Sequence, residues 1–298
     1  MIISSDQLTV GTSRASGRAA GRPGSVRWLT ATAAVAAAVI AVAGCSAAKA
    51  PAGPGGSGGG SKPLTAHQAI RLAADASQRV NSLAATLSVQ ASGGPVGGLT
   101  GSMKIRVKPT LLLEADFSVA AAGSPRSEIG EILTSKAIYI KDTALTRVSG
   151  KPWIKIDFSQ LTSRLGVSFS SLFQNLEGSN PLAQTRLFAV SKNVHSVGSG
   201  VVDGVPCTEY AGSYQPGAAL SALSPQLRKL LGPMLRGMGA QAVQFDVWID
   251  GQHLIRKAVS HETIGGQAVI STYVVTSINQ PVSVTLPPAS EIAPLPKI

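Results

Sequence analysis

The sequence predicts an α+β fold built on one long, curved antiparallel β-sheet with helices on one face. Three observations predict it. Segments in which apolar and polar residues alternate recur from Leu83 onward, broken by Gly, Pro, Asn and Ser. Such alternation sets one face of a sheet against apolar material and the other against water, the habit of antiparallel sheet. Strand-like segments outnumber helix-like ones, and no regular strand–helix–strand alternation occurs, which argues against a doubly wound parallel sheet.

The first 44 residues stand apart from that pattern. They hold Arg14, Arg18, Arg22 and Arg27 with a single acid, Asp6, and then an uncharged run from Trp28 to Gly44. That run has the length of a long signal-peptide core and is short for a membrane-spanning helix. It ends in Val42-Ala43-Gly44-Cys45, which resembles the bacterial lipobox, where a cysteine thiol is acylated before cleavage. The expectation is a lipoprotein signal peptide over 1–44 with Cys45 as the lipid anchor, against the alternative of an uncleaved membrane anchor. Residues 45–63, rich in Ala, Pro, Gly and Ser, form a tether whose flexible part reaches roughly 20–25 Å. Residues 64–298 form the folded domain.

The elements of that domain follow in order. A helix starts near Leu64, capped by Thr65, with Ala66, Ala69, Ile70, Ala73, Ala74 and Val80 at helical spacing. Arg71, Asp75 and Arg79 make its solvated side. Strands follow through Leu83–Val89, Ser102–Val107 and Leu111–Val119, then at 128–134, 137–141 and 152–158. Short helical patterns occupy 159–193. Strands resume at 194–203 and 205–214. A second helical piece spans 217–239, where Leu227, Leu230, Leu231, Met234, Leu235 and Met238 form a stripe and Pro233 breaks the ladder. Strands at 242–250, 253–263, 267–279 and 282–286 close the chain. On 242–250, Val243, Phe245, Val247 and Ile249 face one way.

Composition and motif spacing exclude several classes of function. The net charge is +11, of which the leader holds +3; the remaining +8, from 22 basic and 14 acidic residues, is scattered and forms no nucleic-acid-binding block. The one Gly-x-Ser-x-Gly, Gly55 to Gly59, lies in the tether and has no strand-to-helix turn to expose a nucleophile. His67, His195, His253 and His261 belong to no ligand cluster; His253 and His261 fall on one predicted strand about 26 Å apart. With Cys45 acylated, Cys207 has no disulfide partner and is expected to be a buried, inert thiol. The sequence therefore predicts no enzyme, no catalytic residue, no metal and no cofactor.

Three segments carry a resemblance. Lys151-Pro152-Trp153-Ile154-Lys155-Ile156-Asp157 matches a W-x-K-x-D strand. Val202-Asp203-Gly204-Val205-Pro206-Cys207-Thr208-Glu209-Tyr210 matches a D-G-V hairpin ending in Tyr. The third, Phe245 to Lys257, matches a V-W-I-D strand followed by L-x-R-K. In this order behind a lipobox, they are similar to the LppX/LprAFG lipoproteins of actinobacteria and their LolA-like relatives, over residues 64–288. Cys207 departs from the pattern, which expects Thr or Ser there. The resemblance implies a half-barrel sheet whose concave face, covered by helices, encloses an apolar cavity that carries or presents the acyl chains of lipids or glycolipids. Leu87, Val89, Met103, Ile105, Leu113, Phe117, Tyr210, Leu230, Met234, Phe245 and Val247 are the candidate lining residues. The expected partners are a lipid or glycolipid, the cytoplasmic membrane at its extracytoplasmic face, and an envelope transporter; a monomer is expected. The alternative is an envelope interaction or sensor lipoprotein with a solid core.

Overall fold

Helix α1 (Ala66–Ser77) begins where a capping box dictates. The Thr65 hydroxyl accepts the Gln68 N–H at 3.3 Å, and the Gln68 side chain accepts the Thr65 N–H at 2.9 Å. The helix ends at Ser77 with Gln78 as its cap, so Val80, expected in the helix, is buried instead in the turn that follows. The structure is a computed structural model that describes residues 64–92, 96–121, 125–160, 188–215, 217, 242–264 and 266–294. The signal peptide, Cys45, the tether, the helical patterns expected over 161–187 and the second helical piece, with Leu230 and Met234, lie outside the described residues.

The strands are β1 (Ser82–Ala91), β2 (Val96–Arg106), β3 (Leu112–Ala121), β4 (Ser127–Leu133), β5 (Ala137–Asp142) and β6 (Trp153–Asp157) in the first half. The second half holds β7 (His195–Val202), β8 (Val205–Tyr214), β9 (Val243–Asp250), β10 (Ile255–Ile264), β11 (Gln267–Ile278) and β12 (Ile292–Pro294). They form one open, curved sheet in the order β12-β6-β5-β4-β3-β2-β1-β11-β10-β9-β8-β7. Every pairing is antiparallel except β12 with β6, which is parallel. The two halves join at β1 and β11, where Leu83 faces Ile278 and Ala91 faces Val269. A short helix α2 (Thr143–Ser149), which the sequence reading does not anticipate, follows β5.

Two expectations are corrected. Residues 281–288 form no strand, although Val282 to Leu286 alternate like one. Pro281, Pro287 and Pro288 bracket that run and cannot donate to a ladder. The segment instead lies on the sheet, Val284 packing with Trp153 and Ile292 against Ile132, Ala137 and Tyr139. His253 is not on a strand either; it sits in the β9–β10 turn with φ of 62°.

Register determines which residues share a face. On β9, Val243, Phe245, Val247 and Ile249 are all buried on one side, as the alternation predicts. Their partners on β8 are Tyr214, Gly212, Tyr210 and Thr208. The two aromatic positions are matched by glycines across the ladder: Gly212 pairs with Phe245, and Gly101 with Phe117. A Cβ at Gly212 would come 2.7 Å from the Phe245 ring, and one at Gly101 would reach 2.5 Å from the Phe117 ring. Each phenylalanine thus lies over a neighbour with no side chain to displace it.

Candidate functional site

Following the ladders from β8 to β3 traces a single apolar face. Val247 pairs with Tyr210 and Ala258, and Ala258 with Tyr273. Tyr273 pairs with Leu87, Leu87 with Gly101 and Gly101 with Phe117. Val89 pairs with Leu99, Met103 with Ala115, and Ile105 with Leu113. Because side chains alternate with period two, Leu87, Val89, Met103, Ile105, Leu113, Phe117, Tyr210, Phe245 and Val247 all point to the same side of the sheet. These are the nine described members of the candidate set.

Most of that face is sealed, and it is accessible at the Leu87–Ala91 end of β1. Ile105, Leu113, Val247 and Phe245 are at most 4% exposed. Over β8–β10 the cover is α1, whose Ala69, Ile70 and Ala73 pack with Phe188, Val194, Tyr210, Phe245, Val247, Ile249 and Ile255. Alanines on that helix side let its backbone approach the sheet closely. Phe188 stacks at 4.5 Å from Phe245 and 6.3 Å from Tyr214. Along β1, by contrast, Leu83 and Ala85 are buried while Leu87, Val89 and Ala91 are only half-buried. Val119 on β3 and Val269 on β11, which belong to the same end, are half-buried too. A shallow recess of about 280 Å³, lined by Ser88, Gln90, Thr100, Ser118 and Ala120, lies on the opposite face of the sheet.

Polar groups interrupt the apolar face, and sequence reasoning missed all of them. Glu131 on β4 pairs with Ala115 and Ile140 and is 8% exposed; burial pushes its carboxyl up to about 7. Glu262 on β10 is raised by the same cause. Tyr214 is raised by burial and then by the charge of Glu262, and Tyr273 by burial. The Tyr273 hydroxyl oxygen is enclosed and meets no hydrogen-bond partner among the described residues. An enclosed, unmet hydroxyl costs about 1–3 kcal/mol. Tyr273→Phe is therefore expected to stabilise the protein by about 1 kcal/mol, read as a raised urea midpoint with an unchanged slope.

The motifs behind the family resemblance have local structural work. Asp203 and Gly204, with φ of 48° and 78°, form the two-residue turn between β7 and β8. At the next hairpin the buried Asp250 carboxylate accepts the N–H groups of Gln252 and Leu254 and pairs with Arg256 at 2.7 Å. The positive φ there falls on His253, not on Gly251. Trp248 lies on the opposite sheet face, with the Lys257 ammonium 4.1 Å from its ring. Lys155 pairs with Asp157 at 2.8 Å. Cys207 is buried on that opposite face, beside Asp250 across the ladder; burial and then the Asp250 charge push its thiol up, which leaves it a poor nucleophile.

No protein-family model matches the chain. It is 23% identical over 222 residues, 70% of each chain, to an uncharacterized 31.2 kDa protein in the rplA-rplJ intergenic region of Streptomyces griseus. Among solved structures, LprF from Mycobacterium bovis superposes with a TM-score of 0.48 at 14% identity, over 74% of this chain and 96% of that one. The lipoprotein LppX of Mycobacterium tuberculosis superposes with a TM-score of 0.42 at 17% identity, over 74% and 98%.

Proposed function

We propose that this chain is a lipoprotein of the bacterial envelope that binds the acyl chains of a lipid or glycolipid on the apolar face of its sheet. Acylation of Cys45 would hold it at the extracytoplasmic side of the cytoplasmic membrane, and an envelope transporter is the partner that a carrier requires. The observation that carries the reading is the single apolar face, closed beneath α1 and accessible around Leu87 and Val89. An acyl chain entering at that end gains about 0.8 kcal/mol for each CH₂ removed from water. The mechanism is burial, without bond-making.

A second reading, an interaction or sensor lipoprotein with a solid core, is favoured by one observation. Met103, Ile105, Leu113, Phe117, Tyr210, Phe245 and Val247 are each at most 9% exposed, as in a filled interior. Native mass spectrometry of the chain purified from a lipid-containing host separates the two. The carrier reading expects stoichiometric adducts that organic extraction removes, while an acyl group on Cys45 survives extraction. Val89→Arg, at the accessible end, should fold normally and lower adduct occupancy at least tenfold. A protein that stays free of extractable adducts, even after exposure to phospholipid vesicles, would establish the solid core.

A further inference from the structure

We infer that the outer edge of β7, which pairs with no other strand among the described residues, is a self-association surface, on which two copies of this chain pair antiparallel about a two-fold axis through Ser199. The inference is independent of whether the apolar face takes a lipid, and it replaces the monomer expected from sequence.

The two edges of the sheet are built differently. At one end β12 is three residues long and finishes on Pro294, two devices that discourage further pairing. At the other end β7 runs for eight residues, His195–Val202, without a lysine, arginine, acid or proline. Val197 and Val201 are 54% and 69% exposed on it. A register irregularity between Ser196 and Gly198 bends only the first part of the strand, and Gly198 to Val202 pair regularly with β8.

Register tells which backbone groups are free. Val202 and Val205 close the two-residue turn, the position at which an antiparallel hairpin exchanges both hydrogen bonds. Counting back from that pair, Val201 and Ser199 direct their N–H and C=O groups away from β8, toward the open edge. The sequence around Ser199 is a palindrome, Val197-Gly198-Ser199-Gly200-Val201. A two-fold axis there sets Ser199 against itself and each Gly198 against Gly200 of the second copy, within the regular part of the strand. An isologous interface requires this kind of self-complementarity. The glycines place no bulk between the paired strands, and no like charges meet.

Cysteine crosslinking tests the register directly. In the proposed pairing the two Ser199 Cα atoms stand about 5.5 Å apart, inside the range that a disulfide spans. The two Val201 Cα atoms are offset by four residues, about 13 Å along the strands, and cannot be bridged. The full chain carrying Ser199→Cys, oxidised under mild conditions, should give at least fivefold more disulfide-linked dimer than Val201→Cys or the unsubstituted chain, which sets the background from Cys45 and Cys207. Adding Val201→Lys to Ser199→Cys should return the yield toward that background. Both sites are exposed, and unchanged circular dichroism and melting verify the fold. Equal yields from the Ser199 and Val201 cysteines overturn the proposal. So does crosslinking of Ser199→Cys only to other envelope proteins, which would mark the edge as a docking strand for a different chain.

Discussion

Replacing Val247 by arginine is expected to prevent folding rather than only to block lipid uptake. As a candidate lining residue, Val247 is expected from sequence to border open space. In the structure Val247 is 0% exposed and sits among Ala69, Ile70, Phe188, Tyr210, Phe245 and Ile249. A guanidinium placed there has no described carboxylate beside it on the apolar face and loses its hydration. Burying an unpaired charge costs upward of roughly 4 kcal/mol, a large part of the 5–15 kcal/mol that typically holds a domain together. Val247→Ala, which removes two methyl groups and leaves a small cavity, should cost about 2 kcal/mol and still fold. Urea unfolding followed through Trp153 and Trp248 fluorescence measures both. An arginine variant as stable as the parent would mean that residue 247 faces solvent, and the core assignment would fail with it.

Much of the sheet was legible because its signal is local. Alternation with period two is read within one strand, so β8 was placed at its observed bounds and the buried side of β9 was identified residue by residue. The same periodicity is why the candidates on five separate strands reach one face once the ladders are known. The ladder order is different. Leu83 meets Ile278 across nearly two hundred residues, and nothing in either segment names the other. The parallel pairing of Ile292 with Trp153 was equally silent, and the Val282–Leu286 run misled because local alternation outweighed the prolines around it.

The candidate site was legible as a set of apolar positions, not as a surface with ends. Whether Leu87 is accessible and Ile105 sealed depends on which distant segments lie over them, and periodicity holds no such information. Polar members were missed for a related reason. Tyr273 sits in Ile270-Ser271-Thr272-Tyr273-Val274-Val275, where either parity supplies apolar residues, so its face was ambiguous until Leu87 and Ala258 were found beside it. The residues of the V-W-I-D and R-K motif form local pairs, Asp250 with Arg256 and Trp248 with Lys257.

Glu131 shows the same ambiguity with a larger energetic consequence. In Ser127-Glu128-Ile129-Gly130-Glu131-Ile132-Leu133 the two acids are three apart, so a strand must turn one of them inward. It is Glu131, on the face it shares with Ile129 and Leu133, and desolvation raises its carboxyl from 4.5 to about 7. The folded state therefore binds this proton more tightly than the unfolded chain does. Its contribution to stability is fully present below about pH 4.5 and is lost as the pH rises through about 7, amounting to roughly 3 kcal/mol across that window. Glu131→Gln keeps the shape and has no proton to lose, so it should be more stable than the parent at pH 8 and close to it at pH 4.5. Urea midpoints at those two pH values measure the difference. If parent and variant lose stability in parallel, the ionisation of Glu131 is not the cause, and the carboxyl must be held in its charged form by a partner that compensates its burial.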